Sequence, residues 1–257
     1  MEKNNSESVE DLGRGGFRLI QDKNGFCFGE DTVLLSWFTS QNLRRSRKTP
    51  LRVLELGTNC GAATILLCAR REDVKVDGVE RQKEAAKIFT RNIELNHLEE
   101  RVRGFNLDLR DLPAADLPKN HYDAVFMNPP YRKAENGPVT STEKHSEALL
   151  EARFAMHGEV FDFLSCGKDM LTSTGDLFLV DRAAAFSEVM AACAKLKLVP
   201  KRITFVHPYA EKEATLFLLS AKKGGKIPGT VITPPLILRD ADRNYTPALR
   251  RIYFEDT

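Results

Sequence analysis

Residues 52–61, with the sequence Arg-Val-Leu-Glu-Leu-Gly-Thr-Asn-Cys-Gly, decide the fold class of this chain. The first five form a mainly apolar run typical of a buried strand, and the glycine-bounded turn leads into a helical pattern over residues 62–71. A strand, a glycine turn and a helix in this order begin a βαβ unit. Backbone N–H groups at such a turn can approach a ligand, because glycine has no side chain in the way. Alone, the turn is a weak indication of a binding site.

Strands and helices continue to alternate after this turn, which predicts an α/β fold with a mostly parallel sheet. We predict strands at 52–56, 74–79, 102–107, 123–127 and 175–180, and helices at 82–96, 147–171 and 183–196. The last two predicted strands, 201–206 and 214–220, are separated by seven residues. This connection is too short for a crossover helix, so these strands are expected to pair antiparallel as a terminal hairpin.

Polar side chains follow three of the predicted strands. Glu80 comes after the second strand, where a carboxylate can accept both hydroxyls of a ribose. Asp108 comes after the third, where it either accepts from an adenine amino group or caps a turn. Asn128 comes after the fourth. Because the carboxyl ends of parallel strands meet at one edge of a sheet, these side chains are expected to gather around one ligand.

The fourth strand ends in Asn128-Pro129-Pro130-Tyr131, where two prolines stop the strand. The side-chain oxygen of Asn128 and the carbonyl oxygen of Pro129 are two acceptors, and Tyr131 offers a face on which a flat base can stack. Two acceptors and a ring suit a planar amine. The alternative is that the double proline only marks the start of a loop.

The segments around this core carry weaker patterns. Met1–Asp11 is polar and is predicted to be a frayed tail, and residues 13–29 a short hairpin or cover. Asp31 opens a helix, either as its N-cap or as a ligand contact. Residues 132–146 show no periodicity and are predicted to form a substrate-clamping lid. Basic residues interleaved with aromatic ones near residues 244–253 predict either a strip facing nucleic acid or a packed extension.

Composition limits the class of protein. The 257 residues are 42% hydrophobic and 29% charged, with a formal net charge of +2, which indicates a globular protein whose polyanion partner would need a local basic patch. The five cysteines include no C-x-x-C pair, which disfavours a disulfide framework or a zinc site and fits the reducing cytoplasm. The polar N-terminus and the lack of a long apolar run predict neither secretion nor membrane insertion.

Several motifs together resemble the S-adenosylmethionine-dependent amino methyltransferases: residues 55–61, Glu80, Asp108 and residues 128–131. Gly25–Asp31, Lys223-Gly224-Gly225 and Pro234-Pro235-Leu236 before Asn244-Tyr245-Thr246 resemble, more narrowly, the bacterial tRNA1(Val) (adenine(37)-N6)-methyltransferases. The resemblance covers residues 13–250. The family usually has glycine where this chain has Asn59, a residue type that also tolerates a positive φ.

The resemblance implies a Rossmann-like class I methyltransferase fold with a seven-stranded, mostly parallel sheet and an antiparallel terminal hairpin. It implies an N-terminal extension over the cofactor site (1–49), a methyltransferase domain (50–222) and a C-terminal extension (223–257). S-adenosylmethionine is the implied cofactor, S-adenosylhomocysteine its product, and tRNA the implied substrate. We expect a cytoplasmic monomer or weak dimer that uses neither metal nor membrane.

The resemblance also implies roles for individual residues. The implied catalytic residues are Asn128, Pro129 and Tyr131. The implied cofactor-binding residues are Asp31, Glu55, Gly57, Asn59, Gly61, Glu80, Asp108 and Asn128. The implied RNA-binding residues are Arg132, Lys133, Arg153, His157, Lys223, Arg250 and Arg251.

Other functions remain open at this point. The Asn-Pro-Pro-Tyr tip suits any planar NH2 group, so a protein glutamine amide, an rRNA guanine and a DNA adenine are alternative substrates. The C-terminal tail favours tRNA. A binding module that keeps the nucleotide pocket without turnover is a further alternative, which the presence of Asn128 disfavours.

Overall fold

The computed structural model describes residues 7–23, 28–46, 49–131, 158–226 and 229–254. An N-terminal hairpin is formed by β1 (Glu7–Asp11) and β2 (Arg18–Asp22). The main sheet contains β3 (Leu51–Leu56), β4 (Val74–Val79), β5 (Val102–Phe105), β6 (Tyr122–Met127), β7 (Leu171–Arg182), β8 (Leu198–His207), β9 (Leu216–Lys223), β10 (Val231–Ile232) and β11 (Leu236–Ile237). The helices are α1 (Glu30–Asn42), α2 (Ala62–Arg70), α3 (Lys83–Leu95), α4 (Gly158–Met170), α5 (Phe186–Leu196) and α6 (Pro247–Tyr253).

The main sheet has the strand order β10-β8-β9-β7-β6-β3-β4-β5, and β11 also pairs with β8. Strands β7, β6, β3, β4 and β5 are parallel to one another, whereas β9 lies antiparallel between β7 and β8. The α/β fold with a seven-stranded core and an antiparallel terminal hairpin is therefore confirmed, and two short strands extend it. The chain order reverses between β3 and β6, which makes that position the topological switch point.

Apolar layers cover both faces of the main sheet. Successive residues of β3 point to opposite sides, so Val53 packs in one core and Leu54 in the other. The first core contains side chains from α1, α2 and α3, and the second contains side chains from α4 and α5. Because both faces are buried, the strands are continuous apolar runs rather than alternating ones. Because helices cover both faces of the sheet, polar groups can meet at the ends of its strands.

The N-terminal segment is more ordered than the sequence indicates. The prediction of a frayed tail is wrong for residues 7–11, which pair antiparallel with β2 as β1. Glu7 forms a bidentate ion pair with Arg91 of α3, at 2.7 and 2.9 Å, which ties the strand to the main domain. Residues 1–6 lie outside the described part of the chain. The sequence around Glu7 is polar and does not indicate an ion pair with a residue far along the chain, so this strand could not be predicted from it.

The C-terminal segment packs against the N-terminal half of the chain. Leu249 and Ile252 of α6 are buried in the first core. Arg70 donates to the carbonyl oxygen of Ile252 at 2.6 Å, and Arg14 donates to the carbonyl oxygen of Phe254 at 3.0 Å. Of the two alternatives for this segment, the structure therefore shows the packed extension. The lid predicted at residues 132–146 lies outside the described residues.

No helix within the described ranges is both long enough and apolar enough to cross a membrane.

Candidate active site

A cavity of about 320 Å³ lies at the carboxyl edge of the main sheet, at the switch point between β3 and β6. Its size is in the range of small-molecule sites. Most of the residues predicted to form the site line it: Glu55, Gly57, Asn59, Glu80, Asp108, Asn128, Pro129 and Tyr131. The expected convergence of the strand ends is therefore confirmed by their position around one cavity.

The turn after β3 has the backbone conformation expected of a glycine turn. Asn59 has a φ of 51°, so an asparagine adopts the left-handed conformation in the middle of the turn. Gly61 has a φ of 88°, and a Cβ atom there would lie 2.0 Å from the ring of Phe89. Both the backbone conformation and the packing against Phe89 therefore require glycine at position 61. Gly61 shapes the turn and does not line the cavity.

Glu80 connects the end of β4 to this turn. Its buried carboxylate accepts from the backbone N–H of Asn59 at 2.9 Å and from that of Gln82 at 2.7 Å. Each of its oxygens keeps a further lone pair, so the carboxylate can accept ligand hydroxyls as well. The ribose contact of Glu80 stays a prediction, and the structure adds a second role in holding the turn.

Glu55 has its carboxylate occupied by hydroxyl groups of its own domain. Thr58 and Thr64 both donate to Oε2 of Glu55, the first at 2.7 Å, and the residue is 3% exposed. Burial raises the pKa of Glu55 to about 7, more than the threonine hydroxyls lower it. Glu55 thus joins the turn to α2, and a direct contact with a cofactor is still only a prediction.

Asp108 takes the capping role that the sequence left open. It accepts from the backbone N–H of Arg110 at 2.9 Å and forms an ion pair with the Arg110 guanidinium at 2.6 Å. This pairing lowers the pKa of Asp108 to about 2. Leu107 and Leu109 line the cavity on either side of it. These apolar neighbours suit a flat ring, while the Asp108 carboxylate is already held by arginine.

Asn128, directly after β6, has a side-chain amide with one partnered and one unpartnered atom. Nδ2 of Asn128 donates to Oδ2 of Asp31 at 3.2 Å. Oδ1 of Asn128 is buried and has no hydrogen-bond partner in the described structure. A buried acceptor without a partner costs about 1–3 kcal/mol, and Asn128 is one of the residues that line the cavity, which indicates a ligand donor for this oxygen.

Tyr131 contributes a ring whose two faces differ. Its hydroxyl donates to Oδ2 of Asp31 at 2.8 Å, and burial, together with Asp31, raises the pKa of Tyr131. The guanidinium of Arg182 lies 4.9 Å from the ring centroid on one face. A stacked base would use the other face. Arg182, at the end of β7, was not predicted, although its place at the end of a strand is a signal that could have identified it.

Asp31 corrects one expectation directly. The N-cap of α1 is Gly29, and Asp31 lies within the first turn of the helix, so the capping prediction is wrong. Its Oδ2 instead meets Asn128 and Tyr131. The residue stands behind the predicted amine site, and a direct cofactor contact remains a prediction.

The methyltransferase small-domain family matches residues 32–197, well over half of the chain. The chain belongs to this methyltransferase family.

Named relatives of this methyltransferase cover most of its length. It is 27% identical over 238 residues to the tRNA1(Val) (adenine(37)-N6)-methyltransferase of Tolumonas auensis, with 90% of each chain covered. It is 25% identical over 209 residues to the protein of that name from Flavobacterium psychrophilum, covering 80% of this chain and 84% of the relative.

Solved structures show the same fold. A predicted O-methyltransferase from Agrobacterium tumefaciens superposes with a TM-score of 0.66 at 25% identity, covering 87% of this chain and 95% of that one. TYW2 of M. jannaschii, solved in complex with AdoMet, superposes with a TM-score of 0.56 at 15% identity, covering 86% and 88%. The second likeness supports the fold alone.

The walls of the cavity fit S-adenosylmethionine. The first turn of α2 has no side-chain cap, and Ala62 and Ala63 line the cavity there, so their backbone N–H groups suit an anionic carboxylate. The Glu80 carboxylate suits ribose hydroxyls, and the apolar residues beside Asp108 suit an adenine ring. Within the ranges described, no group of three His, Cys, Asp or Glu residues is arranged to hold a metal ion.

Three of the seven predicted RNA-binding residues, Lys223, Arg250 and Arg251, lie in the described part of the chain. Lys223 donates to Asn120 at 2.8 Å and to the carbonyl oxygen of Leu171 at 2.7 Å, and both lie at the amino edge of the sheet. That position is opposite the methyltransferase cavity, so Lys223 is not beside the proposed amine site. Arg250 and Arg251 are exposed on α6. The other four, Arg132, Lys133, Arg153 and His157, lie outside the described residues.

Proposed function

We propose that this methyltransferase transfers a methyl group from S-adenosylmethionine to N6 of an adenine in tRNA, with adenine 37 of tRNA1(Val) as the expected target. The observation that carries the proposal is the buried, unpartnered Oδ1 of Asn128, a residue that lines the cavity. Relatives named tRNA1(Val) (adenine(37)-N6)-methyltransferases, which match over 80–90% of both chains, support the tRNA part. A tRNA substrate implies a cytoplasmic site of action.

The turn after β3, the start of α2 and Glu80 would hold the cofactor. When bound, S-adenosylmethionine supplies an electrophilic methyl group on a sulfonium sulfur. The protein would act through position and fixed dipoles. Holding two reactants in a productive arrangement is worth about 7–11 kcal/mol in favourable cases.

Asn128 and Pro129 would act on the amine. The N6 lone pair of adenine is delocalised into the ring, which makes the nitrogen a poor nucleophile. Oδ1 of Asn128 and the carbonyl oxygen of Pro129 can each accept one N–H of the amine. Accepting both hydrogens draws the nitrogen toward a tetrahedral arrangement and localises its lone pair for attack on the methyl group.

Tyr131 would hold the base itself. An adenine in RNA must leave its stack to enter the cavity, at a cost of a few kcal/mol. Stacking on an aromatic side chain is worth about 1–3 kcal/mol per base. The face of Tyr131 opposite Arg182 is suited to this contact.

The direct test is transfer of tritiated methyl groups to total RNA from a strain that lacks this gene, followed by nucleoside analysis. We expect N6-methyladenosine in a tRNA fraction. Label in guanosine of rRNA, in DNA adenine or in protein glutamine would instead identify one of the alternative amines and contradict the proposal.

Asn128→Ala tests the role of the unpartnered oxygen. We expect methyl transfer to fall below detection while the affinity for S-adenosylhomocysteine, measured by calorimetry, stays within about threefold of the wild-type value. The variant lacks the oxygen that would accept from the amine, whereas Glu80 and its proposed contacts with the cofactor are unchanged. A variant with the full rate of transfer would show that Asn128 does not hold the amine.

A further inference from the structure

The carboxylate of Asp31 lies between two side chains of the proposed amine site. Its Oδ2 accepts from Nδ2 of Asn128 at 3.2 Å and from the hydroxyl of Tyr131 at 2.8 Å. Asp31 precedes Asn128 by 97 positions and lies on α1, outside the strand that carries the amine site. The contact therefore exists only in the folded chain.

The other oxygen of Asp31 is held independently. Oδ1 accepts from the backbone N–H of Thr32 at 2.7 Å and from its hydroxyl at 3.3 Å. This leaves Oδ2 directed at Asn128. A carboxylate only accepts hydrogen bonds, so Asn128 must present its NH2 group to Asp31.

The orientation of the Asn128 amide follows from this contact. A flipped amide would place Oδ1 of Asn128 against Oδ2 of Asp31, two acceptors facing each other. The unflipped amide leaves Oδ1 buried without a partner, as observed. A charged acceptor on the NH2 side also polarises the amide and increases the negative charge on Oδ1. The site then offers an acceptor to its substrate and no amide donor.

We infer that Asp31 is a positioning residue that fixes the amide of Asn128 with Oδ1 toward the substrate. It thereby makes the site specific for a planar group that donates, such as the 6-amino group of adenine, over one that accepts, such as the 6-oxo group of hypoxanthine. The inference rests on the proposed function, because it names what selects the amine at that same site.

Asp31→Asn is the first test. The new side chain has one acceptor in place of two, so it cannot accept both from Thr32 and from Asn128 and Tyr131. We expect kcat for methyl transfer to fall at least about tenfold, with KM for tRNA and the affinity for S-adenosylhomocysteine within about threefold of wild type. A kcat within about twofold of wild type would overturn the inference.

An exchange of the two residues gives a sharper test. Asn128→Asp alone places two carboxylates against each other, and Asp31→Asn alone loses an acceptor. The double variant D31N/N128D restores one hydrogen bond between the two positions with its direction reversed, and it keeps an acceptor toward the amine. If the two positions acted independently, the fold-losses of the single variants would multiply. We expect the kcat of the double variant to be at least about fivefold higher than that multiplied loss gives. Losses that simply multiply would contradict a direct coupling.

Glu30→Gln is the matched control. Glu30 lies on the same turn of α1 and pairs with Arg239, whereas the NH2 group of Asn128 donates to Asp31. The same charge is removed, and we expect kcat to stay within about twofold of wild type. A tenfold loss here would show that charge at this turn, rather than the contact with Asn128, controls the rate, and would overturn the inference.

A readout without substrate separates this inference from the proposed function. The side-chain amide signals of Asn128 in a nitrogen–proton spectrum of the free enzyme are identified by their absence in N128D. We expect Asp31→Asn to speed hydrogen exchange of the amide proton that Asn128 donates to Asp31 at least about tenfold, because the acceptor of this proton is lost. Unchanged exchange overturns the positioning role, whereas failure of the proposed function appears as no methylation of RNA by the wild-type enzyme.

Discussion

Replacing Glu55 with glutamine should remove a specific dependence of stability on pH. Glu55 is buried, and burial raises its pKa from the ordinary value of 4.5 to about 7. Between these values the folded protein keeps a proton on Glu55 that the unfolded chain has released. The contribution of protonated Glu55 to the free energy of unfolding is therefore fully present below pH 4.5 and is lost as the pH rises through about 7.

The size of the effect follows from the shift. A rise in pKa from 4.5 to about 7 corresponds to about 3 kcal/mol of unfolding free energy. In Glu55→Gln the amide oxygen can accept from Thr58 and Thr64, and the side chain never ionises. The stability of this variant relative to wild type should therefore increase by about 3 kcal/mol between about pH 4.5 and pH 8.

Urea denaturation of both proteins at several pH values across this range measures the difference. Glu84→Gln is the control, because Glu84 is an exposed carboxylate in a surface ion pair with Lys87. We expect this control to differ from wild type by no more than about 0.5 kcal/mol at every pH. If the difference between Glu55→Gln and wild type stays constant across the range, burial does not control the ionisation of Glu55 and the reasoning is refuted.

Two further substitutions test the turn and its partner. Gly61→Ala should destabilise the protein by about 2–4 kcal/mol in urea denaturation, because its Cβ would lie 2.0 Å from Phe89 at a φ of 88°; a loss under about 0.5 kcal/mol would show that the turn tolerates a side chain. Glu80→Gln should weaken S-adenosylhomocysteine binding about tenfold in calorimetry, because one oxygen that now accepts from Asn59 or Gln82 becomes a donor. Unchanged affinity would remove the proposed ribose contact.

The parallel core of the sheet could be predicted because its signals are local. An apolar run followed by a glycine turn specifies strand, turn and helix within about ten residues. Asn59 adopts the left-handed conformation with a φ of 51°, which is accessible to asparagine. The cavity at the carboxyl edge then follows from the geometry of parallel strands.

Two acidic residues show where local reasoning ends. Asp108 was left between a cap and a ligand contact, and it caps the turn by accepting from the backbone N–H of Arg110, two residues away. Asp31 was left between the same alternatives, yet its partners are Asn128 and Tyr131, about a hundred positions away. The first outcome is visible in sequence neighbours. The second depends on how α1 packs across the sheet.

The sequence by itself determined the carboxyl ends of β3, β4 and β6, the left-handed turn and the amide-proline-aromatic tip, because each depends on neighbours along the chain. Only the tertiary structure decided that the amide oxygen of Asn128, rather than its NH2 group, is left for a substrate, since that depends on a carboxylate brought to it from another element. It likewise decided that Glu7–Asp11 is a strand and that Lys223 lies at the far edge of the sheet. These hydrogen bonds and ion pairs join residues that are far apart in the chain and that meet only when the elements pack. No pattern within a short stretch of sequence specifies such a meeting.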